Sequence, residues 1–270
     1  MSVIKWLCAL AVLVPQQLAA QTATQPPATA QSAEPPAIEP KAVGVLQAAC
    51  ATLASAKAMS FTAVNTYEKA ARNGQPLFYA VRNQVTMLRP DKLRVITPGD
   101  GVPDEFYYNG KTMMVYVPST NMVAMADAPQ TIDAMLETAW NAAAIYFPFD
   151  DVILSKPCDV FEKEGMNSAF YVGQSHVVGN TTTDMVAVAS DNAQAELWIG
   201  AKDHLPRLVR VVYTHEPAHA LYQTEYSSWR LMAAVADSVF TSEKAKHATR
   251  IPFHPPGTPM PLPGKPVSKP

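Results

Sequence analysis

Apolar positions along this chain keep a helical period in two places and a period of two almost everywhere else. In residues 42–58, Val45, Leu46, Ala49, Cys50 and Leu53 recur at helical spacing and predict a first helix. The pattern then alternates. Ser60–Glu68 and Leu77–Met87 read as strands, with Tyr79, Val81, Val85 and Met87 on one face of the second. Lys92–Thr97 follows an Arg89-Pro90-Asp91 turn. Phe106–Tyr108 and Lys111–Val117 flank Asn109-Gly110, a pair that accepts positive φ and signals a hairpin. Met122–Ala126 continues the series. Thr131–Ile145 then carries Ile132, Met135, Leu136, Ala139, Trp140 and Ala143 as an apolar stripe behind a Thr131 N-cap. Strand character returns at Ala169–Val172, His176–Val178, Met185–Ala189, Ala195–Ile199, Leu208–His215 and Leu221–Trp229. Consecutive strands joined by tight turns make an antiparallel meander, so the fold class is α+β.

Several strands are apolar on both faces. Met113, Val115 and Val117 alternate with Thr112, Met114 and Tyr116, and Val209, Val211 and Tyr213 alternate with Leu208 and Val212. A half-exposed sheet would be polar on one side. Two readings stand: a sheet packed on both sides, or one face that lines a cavity.

The ends of the chain differ from its middle. Lys5, the nine-residue apolar run Trp6–Val14 and Leu18-Ala19-Ala20 have the layout of a cleaved secretory signal over residues 1–20. That run is too short to span a bilayer, which takes roughly 20 residues. Residues 21–41 read as a Pro/Ala/Gln-rich disordered linker, 42–235 as one domain, and 236–270 as a Pro-rich tail. Residues 21–40 and 251–270 hold 13 of the 24 prolines, which leaves the middle free to form one core. Cleavage removes one lysine, so 20 Lys+Arg face 23 Asp+Glu and the net charge is about −3. With no basic stripe, this balance argues against nucleic acid or an anionic membrane surface as partner, and no transmembrane anchor is expected.

Cys50 and Cys158 remain after cleavage. In an oxidising compartment an even pair suggests a disulfide, and two buried thiols are the alternative, since Cys50 lies on the apolar stripe of the first helix.

One string suggests catalysis. His215-Glu216-Pro217-Ala218-His219 matches H-E-x-x-H, which on a helix aims two imidazoles at zinc. Pro217 would break that helix at a cost of about 3 kcal/mol, and the flanking runs are strand-like, so Glu216-Pro217 reads as a turn. A zinc hydrolase is therefore a remote alternative. Asp150-Asp151 and the Glu162/Glu164 pair read as solvated surface, with no sign of a shifted pKa. No Walker, Rossmann or G-x-S-x-G pattern occurs, and no metal, cofactor or catalytic residue is expected.

Taken in order, the first helix, Arg89-Pro90-Asp91-Lys92-Leu93-Arg94, Tyr107-Tyr108-Asn109-Gly110-Lys111-Thr112, Asp127-Ala128-Pro129, Leu197-Trp198-Ile199, Leu205-Pro206-Arg207 and Trp229 resemble an uncharacterised family of periplasmic proteins, domain of unknown function 2092. That family is similar to the LolA/LolB-like lipoprotein carriers. The resemblance covers roughly residues 42–232 and implies a strongly curved antiparallel sheet, an incomplete β-barrel, with helices capping the concave face. It also implies a periplasmic binding protein for a lipid, acylated or other apolar ligand, in a carrier or sensor role. Tyr79, Val81, Met114, Tyr116, Met135, Trp140 and Trp198 are the candidate lining. The carriers hold their lid helices with a buried arginine, for which Arg82 and Arg94 are candidates. The alternative is a non-catalytic module that binds an envelope protein through strand edges or the Pro-rich tail.

Overall fold

The computed structural model describes residues 38–99, 102–159, 161, 165–215 and 221–255. Among them run strands β1 (Ala58–Ala70), β2 (Pro76–Leu88), β3 (Lys92–Thr97), β4 (Asp104–Tyr108), β5 (Thr112–Val117) and β6 (Met122–Asp127). After a break come β7 (Ser168–Ser175), β8 (Thr183–Ala189), β9 (Ala193–Gly200), β10 (Pro206–Tyr213), β11 (Leu221–Met232) and β12 (Thr249–Ile251). Helix α1 (Pro40–Ser55) precedes them and α2 (Ile132–Ala143) separates the two series.

All twelve strands join one sheet in the order β12-β6-β5-β4-β3-β2-β1-β11-β10-β9-β8-β7. Each series is a meander, and β1 pairs with β11 to join the two into one curved sheet that does not close into a barrel. Pairing is antiparallel throughout except at β12, which lies parallel to β6. The β1–β2 hairpin is long, and β3 pairs only with its Gln84–Leu88 end.

Local chemistry explains the corners. Gly110 has φ 88°, and a Cβ there would collide with the Asp91 carboxylate, so only glycine fits. Beside it Asn109 Oδ1 accepts from the backbone N–H of Lys111 (3.1 Å) and Thr112 (3.0 Å) and fixes the turn. Between β9 and β10, Asp203 pairs with Arg207, and Trp229 Nε1 donates to the Pro206 carbonyl at 2.8 Å, tying that corner to β11. The expected strand at His176–Val178 is absent. Gly179 (φ 71°) and Asn180 (φ 51°) turn the chain there instead, and β7 ends at Ser175.

Helix α1 begins with Pro40, whose fixed φ suits a first turn. Its Ala42, Leu46 and Ala49 pack on Ala169, Val186, Val188 and Ile199 of the second meander. Helix α2 is capped by Thr131, whose side chain accepts from Ala134 N–H, and stops at left-handed Ala144 (φ 53°). Its Ile132, Met135 and Ala139 join a larger core with Met87, Leu93, Phe106, Tyr108 and Met113 of the first meander. Phe61, Phe147, Phe149, Tyr226 and Trp229 fill the seam between the halves, with Phe61 and Trp229 ring centroids 4.5 Å apart. A third cluster sits on the opposite, outer face. There Tyr107, Met114, Tyr116 and Val123 are covered by Ala245 and Ala248 of the chain segment leading into β12. Residues 236–251, read from sequence as tail, thus supply that cover and bury Phe240.

Candidate ligand-binding site

A cavity of about 1170 Å³ lies between the inner sheet face, α1 and the α2–Pro157 segment. Small-molecule pockets typically measure roughly 300–1,000 Å³, so this one has room for a lipid-sized ligand. Its walls are mainly apolar: Leu46 and Leu53 from α1, Phe106 and Val115 from the first meander, Leu197 and Val209 from the second.

Of the seven candidate lining residues, Val81 and Trp140 line this cavity. Tyr79 shares the inner face and stacks on Tyr67, a lining residue, with centroids 5.6 Å apart. Met135 lies in the core beneath α2. Met114 and Tyr116 point to the outer face, and their neighbour Val115 lines the cavity. Trp198 likewise has the parity opposite to lining Leu197. The physical reason is the same in both strands: apolar side chains occupy both faces, and alternation alone does not say which face is inner.

Neither Arg82, which is exposed, nor Arg94, which sits by Tyr107 on the outer face, braces the cavity walls. Part-buried Arg89 does so instead. Its guanidinium donates to the carbonyls of Ala56 (3.2 Å), Ile153 (2.8 Å) and Leu154 (2.7 Å), and more weakly to Leu53 (3.4 Å). One side chain thereby holds the end of α1 and the segment after α2, two of the cavity's walls. Burial lowers its pKa, and Asp133 opposes that by favouring the charged form. Only its place at the end of an apolar strand, before Pro90, hints at this role.

A second feature was readable by parity. Asn65 and Asn83 fall on inner-face positions that are otherwise apolar or aromatic (Phe61, Ala63, Tyr67; Val81, Val85, Met87), and both are buried. Thr224 Oγ1 contacts Asn65 Oδ1 (2.9 Å), Asn65 Nδ2 donates to Asn83 Oδ1 (2.8 Å), and Asn83 Nδ2 to Thr97 Oγ1 (3.0 Å). Thr97 stands directly opposite Asp104 across the β3–β4 pair, and both line the cavity. The line crosses β11, β1, β2, β3 and β4 along the cavity floor.

Asp104 and Asp151 also line this space, and Asp150 next to Asp151 is half-buried, so the Asp150-Asp151 pair is more than plain solvated surface. Burial raises the pKa of Asp104, an effect moderated by its Thr97 hydrogen bond. Asp150 is pushed up to about 7 by burial and by Asp151. Asp151 is itself raised by desolvation, although its side chain is solvent-exposed. The exposed Lys69 is the one cation lining the cavity among the described residues. Glu162 and Glu164 lie outside the described residues.

Cys50, on α1 at the cavity wall, is disulfide-linked to Cys158, with Cα atoms 5.7 Å apart. His215 sits in a turn after β10, and Glu216–His219 lie outside the described residues. Among the described residues no group of three or more His, Cys, Asp or Glu could hold a metal.

Residues 42–254 match a family described as predicted periplasmic protein (DUF2092). The chain belongs to this family. Its members are periplasmic by description, and no helix among the described residues is long and apolar enough to cross a membrane. No curated protein matches the chain. Among solved structures it is similar to LprF from Mycobacterium bovis, with 16% identity, TM-score 0.45, and 75% of this chain and 97% of that one covered. It is also similar to the LolA superfamily protein NE2245 from Nitrosomonas europaea, with 12% identity, TM-score 0.34 and coverages of 75% and 98%. The Pseudomonas aeruginosa MucA/MucB complex matches at 14% identity and TM-score 0.41, over 76% of this chain but only 62% of that one.

Proposed function

We propose that this DUF2092 protein is a non-catalytic, exported binding protein of the periplasm that carries or senses a lipid, acylated or other apolar ligand. The observation that supports this is the cavity of about 1170 Å³, walled by apolar side chains of the sheet, α1 and the α2–Pro157 segment. Each methylene moved from water into such a space gains about 0.8 kcal/mol, so burying about ten or more methylenes of an acyl chain reaches the roughly 8 kcal/mol of micromolar binding. The test is titration of the purified protein with the neutral fluorophore N-phenyl-1-naphthylamine, followed by displacement with lipid extract and native mass spectrometry. Saturable binding and co-purified lipid are expected. A protein that binds neither the fluorophore nor any lipid is a folded scaffold, and the reading fails.

A second reading rests on a strand edge. The Pro76–Asn83 half of β2 has no partner beyond β1 among the described residues, and it exposes Leu77, Phe78 and Tyr79. An extended segment of an envelope protein could add to that edge. Phe78→Glu would then abolish a pull-down partner while leaving fluorophore binding unchanged.

A further inference from the structure

The polar line on the cavity floor has a direction, and the direction carries information about the ligand. An ionised carboxylate only accepts hydrogen bonds, and Asp104 stands opposite Thr97 across the β3–β4 pair, so a bond between the two runs with Thr97 donating. Thr97 Oγ1 then accepts from Asn83 Nδ2, Asn83 Oδ1 accepts from Asn65 Nδ2, and Asn65 Oδ1 accepts from Thr224. Every link points toward one acidic end. Asp151 supplies a second carboxylate to the same cavity, and Lys69 stands exposed beside the Tyr67 ring, 5.9 Å from its centroid. An anionic head entering this space would lose its water, face two carboxylates and meet no buried cation among the described residues. A head that donates hydrogen bonds would meet carboxylate acceptors in low dielectric, where they are strongest.

We propose that the cavity selects amphiphiles whose polar group is a hydrogen-bond donor without negative charge, a hydroxyl or an ammonium, and discriminates against carboxylate and phosphate heads. The proposal rests on the apolar-ligand reading of the same cavity and adds the chemistry of the head. Asn65, Asn83 and Asp104 are its positioning groups; the apolar walls supply affinity for any chain.

Three probes of equal chain length test it at pH 7.5: dodecylamine, 1-dodecanol and dodecanoate, each displacing N-phenyl-1-naphthylamine from the full chain. The expected order is amine, then alcohol, then carboxylate, with the carboxylate on the order of tenfold weaker than the alcohol. Asp104→Asn, which keeps the shape and removes the charge, should narrow the amine–carboxylate gap several-fold, with the amine weakening and the carboxylate tightening. Asp151→Asn, at an exposed position of the short 3-10 helix Asp150–Val152, gives the same readout should Asp104→Asn fold poorly. Dodecanoate binding as tightly as dodecanol to the native protein overturns the proposal. Fluorophore that never binds removes the apolar-ligand reading itself, so the two failures are distinguishable.

Discussion

Arg89 donates to the carbonyl of Leu154 at 2.7 Å, and through this bond the β2–β3 corner grips the chain beyond α2. The same guanidinium reaches Ala56 and Ile153. Its fork serves carbonyls from two separate segments, which a lysine ammonium cannot do in one geometry. Arg89→Lys should therefore cost about 2–3 kcal/mol and Arg89→Ala about 3–4 kcal/mol in urea unfolding, because helix-end carbonyls are left buried without donors. A loss under about 0.5 kcal/mol for both would show that these bonds add nothing to stability.

The Asn65–Asn83 line should behave as one unit. Asn83→Ala strips a partner from both Asn65 and Thr97, and a buried polar group left unsatisfied costs about 1–3 kcal/mol. Thr224→Val removes the donor to Asn65 Oδ1. In a double-mutant cycle the combined loss should fall short of the sum of the two single losses, since each variant disrupts the same line. Strict additivity in thermal unfolding would mean the links are independent.

Much of this arrangement was legible as alternation. The strand series, the Asn109-Gly110 hairpin and the Thr131 cap follow from residue periods and turn chemistry. Parity failed where it carries no signal: Met114 and Tyr116 are as apolar as Val115, and only the cover by Ala245 and Ala248 decides which side is outer. That cover was itself hidden, because Thr249–Ile251 is too short to show a period and pairs in parallel with β6, far from it in sequence. Arg89 was hidden for a different reason. Its partners are backbone carbonyls, which leave no mark in the sequence.

Asp150 gives the pH dependence. Its pKa in the fold rises to about 7 through burial and its neighbour Asp151, with Tyr146, Tyr213 and Tyr222 close by, whereas an unfolded Asp titrates near 4. Between about pH 4 and 7 the folded state holds more protons than the unfolded one, so stability falls as pH rises through that window. Its partial exposure limits the effect to on the order of 1 kcal/mol. Urea midpoints measured at pH 5 and pH 8 should show the fall in the native protein, and Asp150→Asn should flatten it.

The Cys50–Cys158 bridge joins residues 108 apart and ties α1 to the segment that Arg89 also holds. On the chain-entropy account such a loop is worth roughly 4–5 kcal/mol. Alkylation without reductant should label neither cysteine in protein taken from the periplasm, and reductant should lower the thermal midpoint. Two labelled thiols in folded protein would remove the bridge from the account of stability.

Tyr107, Met114, Tyr116 and Val123 form a contiguous apolar patch, and in the folded chain Ala245 and its neighbours lie over it while β12 extends the β6 edge. A chain ending at residue 235 would lose that cover, the buried Phe240 and the edge strand together. Exposed apolar patches and bare strand edges both promote association. The shortened protein should therefore bind a hydrophobic dye on its outside, elute as oligomers on size exclusion, and unfold earlier than the full chain. The point substitution Ala245→Asp should act in the same direction but more weakly, since it places an unpaired charge over the patch and leaves β12 in place. Dye binding that Met114→Lys removes from the shortened chain would locate the exposed surface on β5. A shortened chain that stayed monomeric and equally stable would mean that residues 236–254 contribute nothing to holding the sheet.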